Sequence, residues 1–105
     1  MTCIAVVTTV GSRTEAQTLA RTLVERELAA CAHISEVESF YHWQGKVQNE
    51  VEYRVIFKTV AERYADLEEA IRALHSYELP AIYAWPLEPV YEPYARWIEA
   101  HSAGR

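Results

Sequence analysis

The sequence predicts an α+β fold of the ferredoxin-like split βαβ class (βαββαβ), with a further helix at the C-terminus. Three observations predict it. Two stretches of helical periodicity, one after Ser12 and one after Thr59, are each preceded by an apolar β-branched run. Between them, residues Cys31 to Thr59 read as one very long β-hairpin turning at Gln44-Gly45. The length of 105 residues suits a single domain over 1–105 with one two-layer core, and is too short for two.

Cys3 to Val10 is rich in β-branched residues and reads as a buried strand that Gly11 ends. Ser12-Arg13-Thr14-Glu15 is a capping box, and Ala16, Leu19, Ala20, Leu23, Val24 and Leu28 then fall on one helical stripe. On the second hairpin strand, apolar Val47, Val51, Tyr53, Val55 and Phe57 alternate with Gln48, Glu50, Glu52, Arg54 and Lys58. A two-residue turn puts Tyr41 and Trp43 on the polar side of that strand, whereas a bulge reverses the parity. Thr59-Val60-Ala61-Glu62 is a second capping box, with Val60, Tyr64, Leu67, Ile71 and Leu74 on the buried side of a helix that His75 ends. Leu79 to Leu87 reads as the fourth strand, which Pro80 and Pro86 restrict to its middle or to an edge. Pro89 and Pro93 bracket a terminal helix with Tyr94, Trp97, Ile98 and His101 on one face, and Ser102 to Arg105 reads as a loose tail.

Helices on one face leave the hairpin's other face uncovered. Its aromatic tip, Phe40, Tyr41 and Trp43, stands in water unless another chain packs there, so an oligomer is expected. The formal charge of −5, from 15 acidic and 10 basic residues without a basic block, argues against nucleic acid or an anionic membrane as a main partner. Met1-Thr2-Cys3-Ile4 lacks a basic leader, and no apolar run reaches the roughly 20 residues that span a bilayer. Cys3 and Cys31 fall short of a disulfide framework, so a cytoplasmic protein with reduced thiols is expected.

Four motifs occur in order: Leu28-Ala29-Ala30-Cys31-Ala32, Tyr41-His42-Trp43-Gln44-Gly45-Lys46, Lys58-Thr59 and His75-Ser76-Tyr77-Glu78-Leu79-Pro80. Together they resemble the CutA divalent-cation-tolerance family over nearly the whole chain. The resemblance implies a homotrimer of ferredoxin-like subunits with long hairpins packed between neighbours, similar in plan to the PII signalling proteins. It also implies a role in tolerance of copper and other divalent metals. Three positions depart from the family pattern: His33 in place of an asparagine, Ser76 in place of a proline, and Ala81 in place of a glutamate.

Cys31 and His33 share a strand face, and a thiolate beside an imidazole suits soft or borderline cations such as copper(I), zinc or mercury(II). The alternative makes Cys31 a buried small hydrophobe and His33 an edge residue. His75 with Tyr77 and Glu78 is a second candidate, because imidazole and carboxylate bind copper(II) or zinc. Against this, His75 can serve the helix C-terminus, where its ring meets the negative end of the dipole. No cofactor is obligatory in either reading. Tyr41, Trp43, Glu50, Lys58 and Tyr77 are candidates to line a cleft between subunits, either as a small-ligand pocket or as interface packing.

A trimeric, non-enzymatic metal-binding or metal-responsive protein is the leading expectation. A signalling module taking a small ligand between subunits and relaying it to a protein partner is the alternative. No Gly-x-Ser-x-Gly elbow or poised nucleophile is present, so catalysis is not expected. The aromatic signature of RNA-binding domains and the Met-x-Cys-x-x-Cys loop of metallochaperones, both of this topology, are also missing.

Overall fold

The structure, a computed structural model, describes residues 1–103. The strands are β1 (Cys3–Val10), β2 (Cys31–Trp43), β3 (Lys46–Val60) and β4 (Ile82–Pro86). The helices are α1 (Arg13–Glu25), α2 (Tyr64–Leu74) and α3 (Glu92–Ala100). All strand pairs are antiparallel, in the order β2-β3-β1-β4. The expected α+β class and element order are therefore present.

The β2–β3 ladder runs without a break from Cys31↔Lys58 to Trp43↔Lys46, so no bulge intervenes. Gln44 (φ 53°) and Gly45 (φ 76°) both take left-handed backbone, the requirement of the tight hairpin turn whose twist matches its strands. Regular alternation then gives the sheet two distinct faces. Val6, Val55 and Phe57 point towards α1 and α2, where Leu19, Leu23, Leu67 and Ile71 complete the main core. On the other face α3 packs at one end, its Ile98 closing a smaller core with Cys3, Ala30 and Val60, and Tyr77 from the loop after α2 reaches Glu52. The rest of that face, which runs out along the hairpin, is left open.

Four expectations are corrected. Leu28 lies beyond α1, because Glu27 adopts φ 57° and the chain folds back with Leu28 N–H donating to Leu23 O at 3.1 Å. Glu27 N–H donating to Val24 O completes this helix stop without the glycine that normally marks it. The second capping box does not form: Thr59 is still paired with Ile4, and its buried hydroxyl donates to Leu28 O at 2.8 Å. A short 3₁₀ turn over Ala61–Arg63 leads into α2 instead, and Leu74 is exposed.

β4 spans five residues rather than nine, with Pro80 outside it, and pairs only with β1 as an edge strand. Ser102 is not part of a loose tail. It is buried, its Oγ donates to Ile98 O at 2.6 Å, and its carbonyl accepts from Arg63 Nε at 3.1 Å. Ala103 is exposed, and the rest of the predicted tail, Gly104 and Arg105, lies outside the described residues.

Candidate functional site

The open face of the sheet collects most of the residues singled out from the sequence. At the α3 end, antiparallel pairing sets Cys31 opposite Lys58, with His33 two residues along the same strand. The Cys31 thiol lies 3.5 Å from the Tyr94 hydroxyl on α3. That contact, reinforced by burial, pushes the Tyr94 phenol up to about 12. His33 is exposed, and its Nδ1 lies 3.5 Å from Lys58 Nζ. Thiol and imidazole therefore share this corner with an ammonium group, which opposes a second cation unless it swings away. Cys3 sits in the smaller core, where burial pushes its thiol up and Glu99 adds to the effect.

The loop after α2 is knitted to three other elements. His75 closes the helix through its backbone N–H, which donates to Ile71 O. Its ring does not cap the helix as the dipole argument anticipated: Nε2 lies 2.8 Å from Thr9 O, and Nδ1 accepts from Tyr77 N–H at 3.1 Å. One neutral tautomer, protonated on Nε2, satisfies both contacts, so ligation of a metal by either nitrogen costs a hydrogen bond. Ser76 donates its N–H and its hydroxyl to the Glu15 carboxylate, each at 3.0 Å. Glu15 thus serves this loop from the first turn of α1, while Ser12 Oγ caps the helix by accepting from Glu15 N–H. Glu78 is exposed and lines an open groove of about 610 Å³ with Glu68, Glu69 and Arg72, away from Cys31.

Towards the hairpin tip the face becomes a set of phenols and carboxylates. Tyr77 donates to Glu52 Oε2 at 2.6 Å, and Glu52 is only 7% exposed. Burial, then this hydrogen bond, drives the Tyr77 phenol far above its usual range. Tyr77 reaches Glu52 over Gly11, where a Cβ would meet its hydroxyl at 3.4 Å. Tyr41 donates to Glu50, which pushes the Tyr41 phenol up to about 12. Trp43, Tyr83 and Trp85 are substantially exposed on the same face.

The structure thus gathers Cys31, His33 and Lys58 at one end, and Tyr41, Glu50 and Tyr77 nearer the other. It does not bring His75 and Glu78 to the thiol. Among the described residues, no three or more His, Cys, Asp or Glu side chains converge as a metal site. Sequence reasoning missed Glu52 and Arg54. Both looked like members of a solvated polar stripe, and only the docking of the 75–78 loop buries the first.

No described helix is long and apolar enough to cross a membrane. The CutA1 divalent ion tolerance protein family model matches residues 4–101. The divalent-cation tolerance protein CutA of Archaeoglobus fulgidus is 37% identical over 91 residues, 87% of this chain and 89% of that protein. The corresponding Thermotoga maritima protein is 37% identical over 95 residues, 90% of this chain and 94% of its own length. Among solved structures, the periplasmic divalent cation tolerance protein CutA from A. fulgidus superposes with a TM-score of 0.92 at 34% identity, covering 95% of this chain and 98% of that one. CutA1 from Oryza sativa gives 0.93 at 32% identity, covering 97% and 94%. A match over nearly the whole length, in sequence and in fold, means that this chain belongs to the CutA1 divalent ion tolerance family.

Proposed function

We propose that this protein serves divalent-cation tolerance as a non-enzymatic homotrimer, taking up copper or another divalent cation at the Cys31–His33 end of its open sheet face. The observation that carries the reading is the pairing of a thiol and an imidazole on one strand face, at the margin of the part of the sheet that α3 leaves open. Sulfur and nitrogen donors of this kind suit copper or zinc, and a site built from two of them needs further ligands, here supplied by a neighbouring copy. His75 and Glu78 fit a cation less well, because both His75 nitrogens already have partners. A cytoplasmic setting that keeps Cys31 reduced belongs to the same reading.

Calorimetric titration of reduced, metal-stripped protein with zinc and copper(II) under anaerobic conditions tests it, with light scattering at micromolar protein for the assembly. Saturable binding at fixed stoichiometry per trimer, lost in Cys31→Ser and His33→Asn and kept in His75→Ala, is the expected result. A monomer mass, or affinity unchanged in all three variants, overturns the site. The clefts between copies, lined by Tyr41, Trp43, Glu50, Lys58 and Tyr77, are then the place to look for a small ligand.

A further inference from the structure

Arg54 stands near the middle of the open face. It projects from β3 with Ser35 of β2 opposite on one side and Thr9 of β1 on the other. Its Nε is shut off from solvent and has no hydrogen-bond partner among the described residues. The carboxylate two residues away, Glu52, is itself buried and accepts from the Tyr77 hydroxyl. Ser35, Thr9 and Glu52 are its immediate neighbours on this face, and further along it towards Lys58 stand Tyr83, 51% exposed, and Trp85, 43% exposed, on β4. A buried N–H without an acceptor calls for one from outside the chain, since a polar group left unsatisfied once the face is covered is unfavourable.

The hairpin strands of this face carry one exposed acid. By strand parity the face's side chains from β3 are Lys46, Gln48, Glu50, Glu52, Arg54, Ile56 and Lys58, and those from β2 include no carboxylate. Glu52 is committed to Tyr77, which leaves Glu50 near the hairpin tip, held by Tyr41. Glu50 lies beyond the end of β1, whose last residue, Val10, pairs with Tyr53. The exposed carboxylate of Glu50 lies towards the tip, with Lys46 further out, and the Arg54 N–H without an acceptor lies nearer the base, so acid and cation occupy different places along one face. Two different patches that match in this way form a head-to-tail contact, the kind that closes into a ring.

We propose that Arg54 receives the Glu50 carboxylate of a second copy, whose hairpin tip lies across the base of the open face. The pair sets the register of assembly and rests on the reading that copies associate through this face. Bidentate geometry makes such a pair strong enough to govern dissociation.

The test is charge reversal. Sedimentation velocity over a dilution series gives the midpoint concentration for dissociation of wild type, Arg54→Glu, Glu50→Arg and the double variant, with circular dichroism confirming the fold of each. Each single reversal is expected to raise the midpoint about a hundredfold, the scale for breaking one partner of a desolvated charge pair, and the double reversal to restore most of it. Arg54→Met, which removes the charge without repulsion, is expected to raise it by a smaller factor. A single reversal that assembles like wild type overturns the proposal. So does a double variant no better than the singles, a result that assigns Arg54 to a different anion. A wild type that is monomeric at every concentration instead removes the assembly on which the pair depends.

Discussion

Removing one oxygen from Tyr77 tests how the open face is held. In Tyr77→Phe the ring stays over Gly11, and only the hydroxyl that donates to Glu52 at 2.6 Å is lost. Glu52, 7% exposed, then keeps a buried carboxylate without that donor. A hydrogen bond to a charged group contributes about 1.5–3 kcal/mol, so a loss of about 2 kcal/mol is expected. In a domain of this size that lowers the melting temperature by roughly 10 °C. Tyr53→Phe is the control: its hydroxyl donates to Glu36 at 3.3 Å in the open, and its loss should cost under about 0.5 kcal/mol. Denaturant titrations at one fixed protein concentration, with mass checked by light scattering, separate fold stability from assembly. The same pair fixes the alkaline response. Because Tyr77 is pushed far above the ordinary tyrosine value of about 10, the native state retains a proton that the unfolded chain releases. The stability tied to that proton is complete below about pH 10 and is lost as pH climbs towards the raised native value. Wild type should therefore destabilise more steeply above pH 10 than Tyr77→Phe. Equal alkaline slopes, or a cost for Tyr77→Phe no greater than for Tyr53→Phe, would refute the assignment.

Three further substitutions probe the frame that carries this face. Thr59→Val leaves Leu28 O without its buried donor and should cost about 1–3 kcal/mol by urea titration, although valine suits a strand well. Gly45→Ala has open space for its Cβ, so the loss of about 1 kcal/mol expected in the same titration comes from left-handed backbone alone. Ile98→Ala empties the smaller core between α3 and the sheet and should cost about 2–5 kcal/mol, with faster amide exchange in α3 before global unfolding.

The parts of the fold legible in the sequence are those fixed by local pattern. Alternation in Val47 to Lys58 and the Gln44-Gly45 turn give the hairpin its register, and Ser12 with Glu15 N–H starts α1 as the spacing suggests. What escaped was decided by distant partners. Thr59 has the local signature of a helix cap, yet β1 pairs with it and Leu28 O takes its hydroxyl, so the strand wins over the cap. Glu27 carries no glycine-like signal for a left-handed stop. The return of Leu28 to the core compensates for its backbone.

The candidate site divides along the same line. Cys31 and His33 were paired by strand parity, and the sheet keeps them on one face, because nothing but pleat geometry is needed to do so. The alternative that tied the His75 ring to the end of its own helix failed because Thr9 O lies within reach of the ring from a strand 66 residues away. Glu52 and Arg54 were unreadable for a related reason. Both alternate with apolar neighbours as a solvated stripe does, and only the tertiary position of Tyr77 and the uncovered face reveal one as a buried acceptor and the other as an unpaired donor. Glu52 has its donor within the chain, whereas the buried Nε of Arg54 lacks an acceptor, a cost that the proposed contact with a second copy would remove.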